Sequence, residues 1–207
     1  MAAAPTPATT GARRLSRTQQ TEANRAAVLA AAAAVFRERG YAAATLDQIA
    51  EAAGFSKGAV YSQFDSKADL FLHVLDRRIE TRAAENQAAV DAGTDDPDTI
   101  VRELQRLMSR SDPRWRLAVT EFRIAASRDP DLRARYDAVH RRTVARLAAV
   151  FDQIYERTGY EPPVPTEHLA VTVLALDVGT VLEDASTTSP VPADSLDLLM
   201  RRMVFGA

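Results

Sequence analysis

The chain has 207 residues, a formal net charge of −2 and no cysteine. This length fits one large domain or two small ones, and the missing thiols exclude disulfides, a thiolate nucleophile and cysteine-based zinc sites. No charge-free run of about 18 apolar residues occurs, so we expect no membrane span, and the lack of cysteine fits the cytoplasmic location that we expect.

The charge is unevenly distributed along the chain. Residues 1–90 carry 11 basic and 9 acidic side chains, whereas residues 91–207 carry 15 and 19. Residues 1–17 are rich in Ala, Pro and Thr and are dotted with arginines towards their end, so we expect a disordered basic tail there. A basic end favours a polyanionic partner such as DNA, and a solvated charged surface gives the same pattern.

Helical periodicity divides the next part of the chain into four helices. They are predicted at about 21–39, 46–53, 57–64 and 67–90. Gly40 and Gly54 are placed to end the first two. Thr45, Ser56 and Ser66 are placed as N-caps of the other three.

Five longer helices are predicted in the remainder, at about 98–109, 113–127, 131–158, 166–187 and 193–204. Several follow a proline, which is tolerated in the first turn of a helix because its missing N–H has no partner there. Strand-like alternation is absent, so the prediction is an all-α protein of about nine helices.

Residues 45–67 have the pattern of a helix-turn-helix. Ala50 and Gly54 have the alanine-x3-glycine spacing of that motif, in which the small residue lets the second helix approach the first. Ile49, Val60 and Phe64 are placed to share a small core with Phe36 and Phe55.

The second helix of this motif is the candidate DNA-reading element. Its N-terminus offers backbone N–H groups and Lys57 to a phosphate, and Gly58 leaves room for another backbone to approach. Tyr61 offers a hydroxyl to phosphate, and Lys67, at the start of the next helix, is a further phosphate candidate. Ser62 and Gln63 are the polar candidates for base edges. The full candidate set is Thr45, Ser56, Lys57, Gly58, Tyr61, Ser62, Gln63 and Lys67.

Each of these residues alone has a purely structural explanation, such as a solvated lysine or a half-buried tyrosine. Their combination after a capped helix and turn favours DNA binding. The segments AAAVFRERGY (32–41) and TLDQIAEAAGFSKGAVYSQFDSKADL (45–70) resemble the TetR family of bacterial transcription regulators.

The resemblance implies an all-helical homodimer in which residues 18–66 form a three-helix DNA-binding head. Residues 67–207 would begin with a linking helix and form a ligand-binding and dimerisation domain. It further implies a palindromic double-stranded operator and a small-molecule inducer, with repression commoner than activation. No cofactor and no metal are implied.

The same resemblance implies that the helices near 166–187 and 193–204 form a four-helix bundle with those of the partner subunit. The segment LAVTVLALDVGTVLE (169–183) supports this, because it is apolar on most sides and holds the small residues Ala175 and Gly179. Packing inside one subunit would give the same pattern.

A ligand pocket is predicted among the helices from 98 to 187. Its candidate lining residues are Leu104, Met108, Trp115, Phe122, Tyr136, His140, Phe151, Tyr155, His168 and Asp177. The abundance of apolar side chains indicates a hydrophobic ligand, and plain core packing gives the same spacing. Asp177 and Glu121 would recognise a cation if buried, or else pair with an arginine such as Arg123 or Arg133.

Two other classes of protein fit the sequence less well. An enzyme is disfavoured because no nucleophile elbow, phosphate-binding loop or HExxH motif occurs and the three histidines are far apart in sequence. A helical interaction protein without DNA binding or an inducer has the same fold class, and the Lys57, Tyr61 and Lys67 side chains argue against it.

Overall fold

The computed structural model describes residues 16–91, 96–109 and 112–206. Every regular element in these ranges is an α-helix, and the predicted all-α class is confirmed. The helices are α1 (Arg17–Ala43), α2 (Leu46–Ala53), α3 (Lys57–Tyr61), α4 (Lys67–Asp91), α5 (Pro97–Ser109), α6 (Pro113–Ser127), α7 (Pro130–Thr158), α8 (Thr166–Ser186) and α9 (Ala193–Phe205).

The helix ends follow the capping chemistry of the sequence. Pro97, Pro113 and Pro130 each open a helix. α1 begins four residues before its predicted start because Ser16 and Gln19 form a capping box, with each side chain bonded to the backbone of the other. The predicted tail therefore ends before residue 16, and residues 1–15 lie outside the described part of the chain.

The first hydrophobic core joins α1, α2 and α3 to α4 and α6. Phe36, Ile49, Val60 and Phe64 are almost completely buried together, as the sequence predicted. The same core continues past residue 66, because Phe71 of α4 lies against aromatic rings of α1 and α6. The helix-turn-helix is thus packed directly against the rest of the molecule.

A second core joins α5, α7, α8 and α9. Phe151, Met200 and Val204 are buried at its centre. The Tyr155 hydroxyl donates a hydrogen bond to the carbonyl of Val204, and burial raises the pKa of this phenol to about 12. This bond fixes α9 against α7.

α4 lies parallel to α7 and is joined to it by three polar pairs. Each pair links residues 66 apart in sequence, and a constant offset requires the two helices to run in the same direction. The pairs are Asp69–Arg135, Asp76–Arg142 and Gln87–Gln153. They hold the linking helix in a fixed register on the C-terminal helices.

The end of α1 forms a corner that contacts both α4 and α6. Gly40 interrupts the helix with φ 74° and ψ 173°. The Glu121 carboxylate of α6 accepts a hydrogen bond from the Ala42 N–H at 2.8 Å. Lys67 of α4 donates to the carbonyls of Tyr41 and Ala42, at 2.8 and 3.0 Å.

A side chain at position 40 has no room at this corner. A Cβ built on Gly40 would lie 2.6 Å and 2.7 Å from the two Glu121 carboxylate oxygens. The backbone conformation is also one that only glycine adopts easily. Gly40 therefore allows the carboxylate to reach the backbone of the corner.

We predict that Gly40→Ala lowers the free energy of unfolding by about 3 kcal/mol, because backbone strain and the contact with Glu121 act together. Gly54→Ala is the control: its φ is 71° but no atom lies within 4 Å of the added carbon, so about 1 kcal/mol is expected. Urea unfolding at equal protein concentration measures both. Equal losses for the two variants would contradict the role given to Glu121.

Candidate nucleic-acid interface and ligand cavity

The turn between α2 and α3 is built by its cap residues. Gly54 adopts the left-handed conformation that ends α2, and the Phe55 N–H returns to the Ala50 carbonyl at 3.0 Å. Thr45 caps α2 in a reciprocal box with Gln48, and Ser56 caps α3 by accepting from the Ala59 N–H. These bonds fix the angle at which α3 leaves α2.

Lys57 lies at the exposed start of α3. Its ammonium forms an ion pair with the Asp47 carboxylate in the first turn of α2, and both side chains are exposed. The hydrogen bond to Asp47 raises the pKa of Lys57. Because the pair is open to solvent, an incoming anion can replace the carboxylate.

The outer surface of α3 is open beside Gly58 and Tyr61. No atom lies within 4 Å of a Cβ built on Gly58, and its φ is not positive, so neither packing nor backbone conformation of the protein requires glycine there. The Tyr61 side chain is 55% exposed although it is large and aromatic. Ser62, beyond the helix, donates its hydroxyl to the Ala59 carbonyl and is also exposed.

The Gln63 side chain is turned inward and does not present its amide edge to solvent. Its NH₂ donates to the Ala59 carbonyl at 2.9 Å, and its Oε1 is buried. The predicted α3 also ends earlier, at Tyr61, because the Gln63 and Phe64 N–H groups both bond to the Val60 carbonyl. The expectation that Gln63 reads a base edge is therefore corrected.

Lys67 also has an internal role instead of the predicted phosphate contact. Besides its two carbonyl acceptors at the α1 corner, its ammonium lies 4.6 Å from the centre of the Tyr41 ring. Burial lowers the pKa of Lys67, and the charge of Glu121 opposes that shift. The ammonium is directed at the protein, and we do not count it among the groups that face DNA.

Arg25 of α1 is a residue of this region that the sequence did not reveal. Its guanidinium donates to the Gln63 carbonyl at 3.2 Å and lies 4.5 Å from the centre of the Phe64 ring. It also contacts His73 Nε2 of α4 at 3.1 Å. Arg25 thereby holds the segment after α3 against α1 and α4.

A cavity of about 840 Å³ lies among α1, α4, α5, α6, α7 and α8. Four predicted pocket residues line it, namely Leu104, Trp115, Phe151 and Asp177. Leu29 and Ala33 of α1 contribute to its wall, although that helix belongs to the predicted DNA-binding head. The cavity therefore borders both parts of the molecule.

Five other predicted pocket residues do not line this cavity. Phe122, Tyr136 and His140 form a run of ring contacts against the first core, Tyr155 is bonded to α9, and His168 is exposed on α8. Apart from the exposed His168, these aromatic residues at helical spacing pack in or against the two cores. The side chain of Met108 lies outside the described part of the structure.

The sequence pattern identified one charged residue of the cavity wall, Asp177, and did not reveal the others. Asp177 pairs with Arg116 at 2.7 Å, not with Arg123 or Arg133 as considered, and burial raises its pKa while Arg116 opposes the shift. Four further arginines line the wall: Arg77, Arg78, Arg82 and Arg146. Three of these lie in the run DRRIETR (76–82), which from sequence resembles a solvated face of the linking helix.

α8 and α9 present an apolar outer surface. Val171, Ala175, Gly179 and Leu182 recur at helical spacing along α8 and are all exposed. Leu198 and Leu199 of α9 are 56% and 43% exposed. Packing inside one subunit therefore does not account for this apolar stripe. We refer to these six residues as the α8/α9 face.

Within residues 16–91, 96–109 and 112–206, no cluster of three or more His, Asp or Glu side chains is arranged to hold a metal ion. No helix in those ranges combines the length and apolar character needed to cross a bilayer.

Comparison with known proteins agrees with the fold and the helix-turn-helix. Residues 28–74 match the family described as bacterial regulatory proteins, tetR family. The HTH-type transcriptional activator FasR of Mycolicibacterium smegmatis is 31% identical over 179 residues, which cover 83% of this chain and 76% of that protein.

Solved structures share the whole architecture. The structure of Salmonella enterica GusR is 24% identical, covers 93% of this chain and 97% of its own, and gives a TM-score of 0.69. A putative transcriptional regulator from Saccharomonospora viridis, solved in complex with choline, is 18% identical, covers 88% of this chain and 96% of its own, and gives a TM-score of 0.68.

The open surroundings of Gly58 predict that Gly58→Ala stabilises the free protein by about 0.5–1 kcal/mol, since alanine favours helix and meets no neighbour. Urea unfolding of the protein without DNA checks this value. A loss of stability would show that the fold itself needs glycine at this position.

Proposed function

The chain belongs to the tetR family of bacterial regulatory proteins, and we propose that this helix-turn-helix transcriptional regulator binds a palindromic operator as a homodimer and is released by a small molecule. Its relatives are transcriptional regulators and not enzymes, and the chain is likewise assigned as a regulator. The observation that carries the proposal is the exposed surface of α3, where Lys57, Gly58 and Tyr61 lie together without a packing role.

In the proposed complex, α3 enters the major groove of the operator. The Lys57 ammonium exchanges Asp47 for a backbone phosphate, and Tyr61 donates its hydroxyl to another. Gly58 lets the nucleic acid approach the helix backbone. Thr45, Ser56 and Ser62 lie at the exposed ends of α2 and α3. We propose that their hydroxyl groups also contact the operator DNA.

The α8/α9 face is proposed as the dimer interface. It is apolar and exposed in the single chain, and contiguous apolar surface of this kind marks interaction sites. Nothing lies within 4 Å of a Cβ built on Gly179, which leaves room for a partner helix. Two copies joined there would present two α3 helices, and successive major grooves require a separation of about 34–36 Å between them.

The cavity is proposed as the effector site. α4 and α6 both line it, and the same two helices contact the corner at the end of α1 through Lys67 and Glu121. A ligand that favours one position of these helices would shift the population of head orientations, and operator affinity would change with it. The choline complex of the Saccharomonospora viridis neighbour supports small-molecule binding by this architecture.

We propose that the protein is located in the cytoplasm and that it represses transcription from the operator. Activation is a second candidate, because the relative FasR is named as an activator. A reporter gene with the operator overlapping the promoter, compared in cells with and without the protein, distinguishes the two. Lower expression in the presence of the protein supports repression, and higher expression supports activation.

We predict that Tyr61→Phe weakens binding to duplex DNA about fivefold to tenfold, because one phosphate hydrogen bond is lost. Tyr160→Phe is the matched control, since that tyrosine is 45% exposed after α7 and far from α3 in sequence. Fluorescence anisotropy with a labelled duplex at two salt concentrations measures both variants.

Wild-type binding should weaken steeply as salt rises. Gly58→Ala should bind DNA more weakly although its fold is more stable. Absence of duplex binding at low salt would favour the helical interaction protein, and equal effects of Tyr61→Phe and Tyr160→Phe would contradict the proposed contact.

We predict that Leu198→Asp separates the subunits, because a charge at the centre of an apolar interface is not compensated there. Ile124→Asp is the control, since Ile124 is similarly exposed, at 50%, but lies on α6. Gel filtration with light scattering should give a dimer for the wild type and the control and a monomer for Leu198→Asp. A wild-type monomer would contradict the α8/α9 interface.

A further inference from the structure

The wall of the cavity carries an excess of positive charge. Among the described residues, four arginines and two carboxylates line it, and the Asp177 carboxylate is already paired with Arg116. Arg82 also acts on that carboxylate, so Glu85 is the acidic lining group left beside Arg77, Arg78 and Arg146 in the described part of the wall. The whole chain has a net charge of −2, so this excess is local and does not reflect a generally basic protein.

Two of these arginines line the cavity from different helices, and no ion pair joins either of them to a carboxylate of the described residues. Arg77 lies on α4 and Arg146 on α7, and among the described residues neither forms an ion pair. Neighbouring arginines differ in this respect: Arg142 pairs with Asp76, and Arg135 pairs with Asp69. The polar pairs between α4 and α7 thus leave the guanidinium groups of Arg77 and Arg146 without a carboxylate partner beside the cavity.

Arg78 is held in place by the cavity wall itself. Its guanidinium carbon lies 4.6 Å from the centre of the Trp115 ring, which is almost completely buried. Stacking of this kind orients the planar guanidinium and leaves its N–H donors free for a second partner. A rigid fork of donors suits a carboxylate, sulfonate or phosphate group.

Apart from Thr81, Gln87 and Thr143, the described remainder of the wall is apolar. Leu75, Leu104, Phe151 and Val173 contribute side chains from four different helices, and the volume of about 840 Å³ suits a molecule of drug size. A wholly neutral ligand would remove water from the guanidinium groups without supplying an opposite charge, and the loss of hydration would weaken its binding. A cation would be repelled by the same groups.

We propose that the effector is an amphiphilic anion, with an apolar body among the leucine and phenylalanine side chains and an acidic group against the arginines. This inference rests on the proposed function, which makes the cavity the effector site. It adds the chemical class of the ligand and the residues that select it, Arg77 and Arg78 of α4 and Arg146 of α7.

The test compares two probes of nearly identical shape. The first is 1-anilinonaphthalene-8-sulfonate, which is anionic, and the second is N-phenyl-1-naphthylamine, which lacks the sulfonate and is neutral. Each is titrated into the full-length wild-type protein by isothermal calorimetry at pH 7. We expect the anionic probe to bind at least about tenfold more tightly, the factor that one charge-assisted hydrogen bond supplies.

The double variant Arg77→Gln/Arg146→Gln should lose most of that preference while binding the neutral probe as the wild type does. Arg133→Gln is the control, because that arginine is exposed on α7 but does not line the cavity. Circular dichroism and thermal unfolding verify that each variant is folded. A preference unchanged in the double variant, tighter binding of the neutral probe, or binding of neither probe would overturn the inference.

The probe titration contains no DNA, so it tests the charge preference of the cavity separately from its proposed effector role. A protein that prefers the anionic probe through Arg77 and Arg146 supports the ligand class even if duplex affinity is the same with and without saturating probe. That second observation would count against the effector role of the cavity and not against its charge selectivity.

Discussion

The hydrogen bond from the Ala42 N–H to the Glu121 carboxylate joins the two parts of this molecule. It exists because Gly40 adopts a conformation reserved for glycine and has no Cβ, which allows α6 to reach the backbone at the end of α1. Lys67 holds the neighbouring carbonyls from α4. Together with the shared aromatic core, this corner fixes the helix-turn-helix to α4 and α6, which are two of the six helices that border the cavity.

This arrangement connects the proposed effector site physically with the proposed DNA-binding surface. Trp115 lines the cavity and Glu121 lies six residues further along α6, about 9 Å along the helix axis. Movement of α6 at one point is transmitted to the other because a helix is stiff over so short a distance. α4 is tied to α7 by the 66-residue register of polar pairs, so its displacement requires those pairs to adjust. The cavity and the head are thus mechanically connected through two helices.

Local signals predicted the helices and the turn well, because glycine, proline and N-cap residues act within a few residues of the chain. The pocket was predicted less well, since helical spacing does not distinguish a core residue away from the cavity, such as Phe122, from one that also borders it, such as Phe151. Gln63 and Lys67 were assigned to DNA from their positions, but the Gln63 amide donates to a carbonyl four residues earlier and the Lys67 ammonium to carbonyls 26 and 25 residues away. The Lys67 contacts connect distant parts of the chain, and the local sequence pattern does not encode them.

In the proposed complex, two copies of α3, held apart by the α8/α9 interface, read a two-fold symmetric DNA site. The decisive experiment is selection of bound sequences from a random duplex pool. We expect enrichment of a palindrome whose half-sites are centred about 10–10.5 base pairs apart, or a multiple of that spacing. Enrichment of a single asymmetric site, or of no sequence at all, would contradict it.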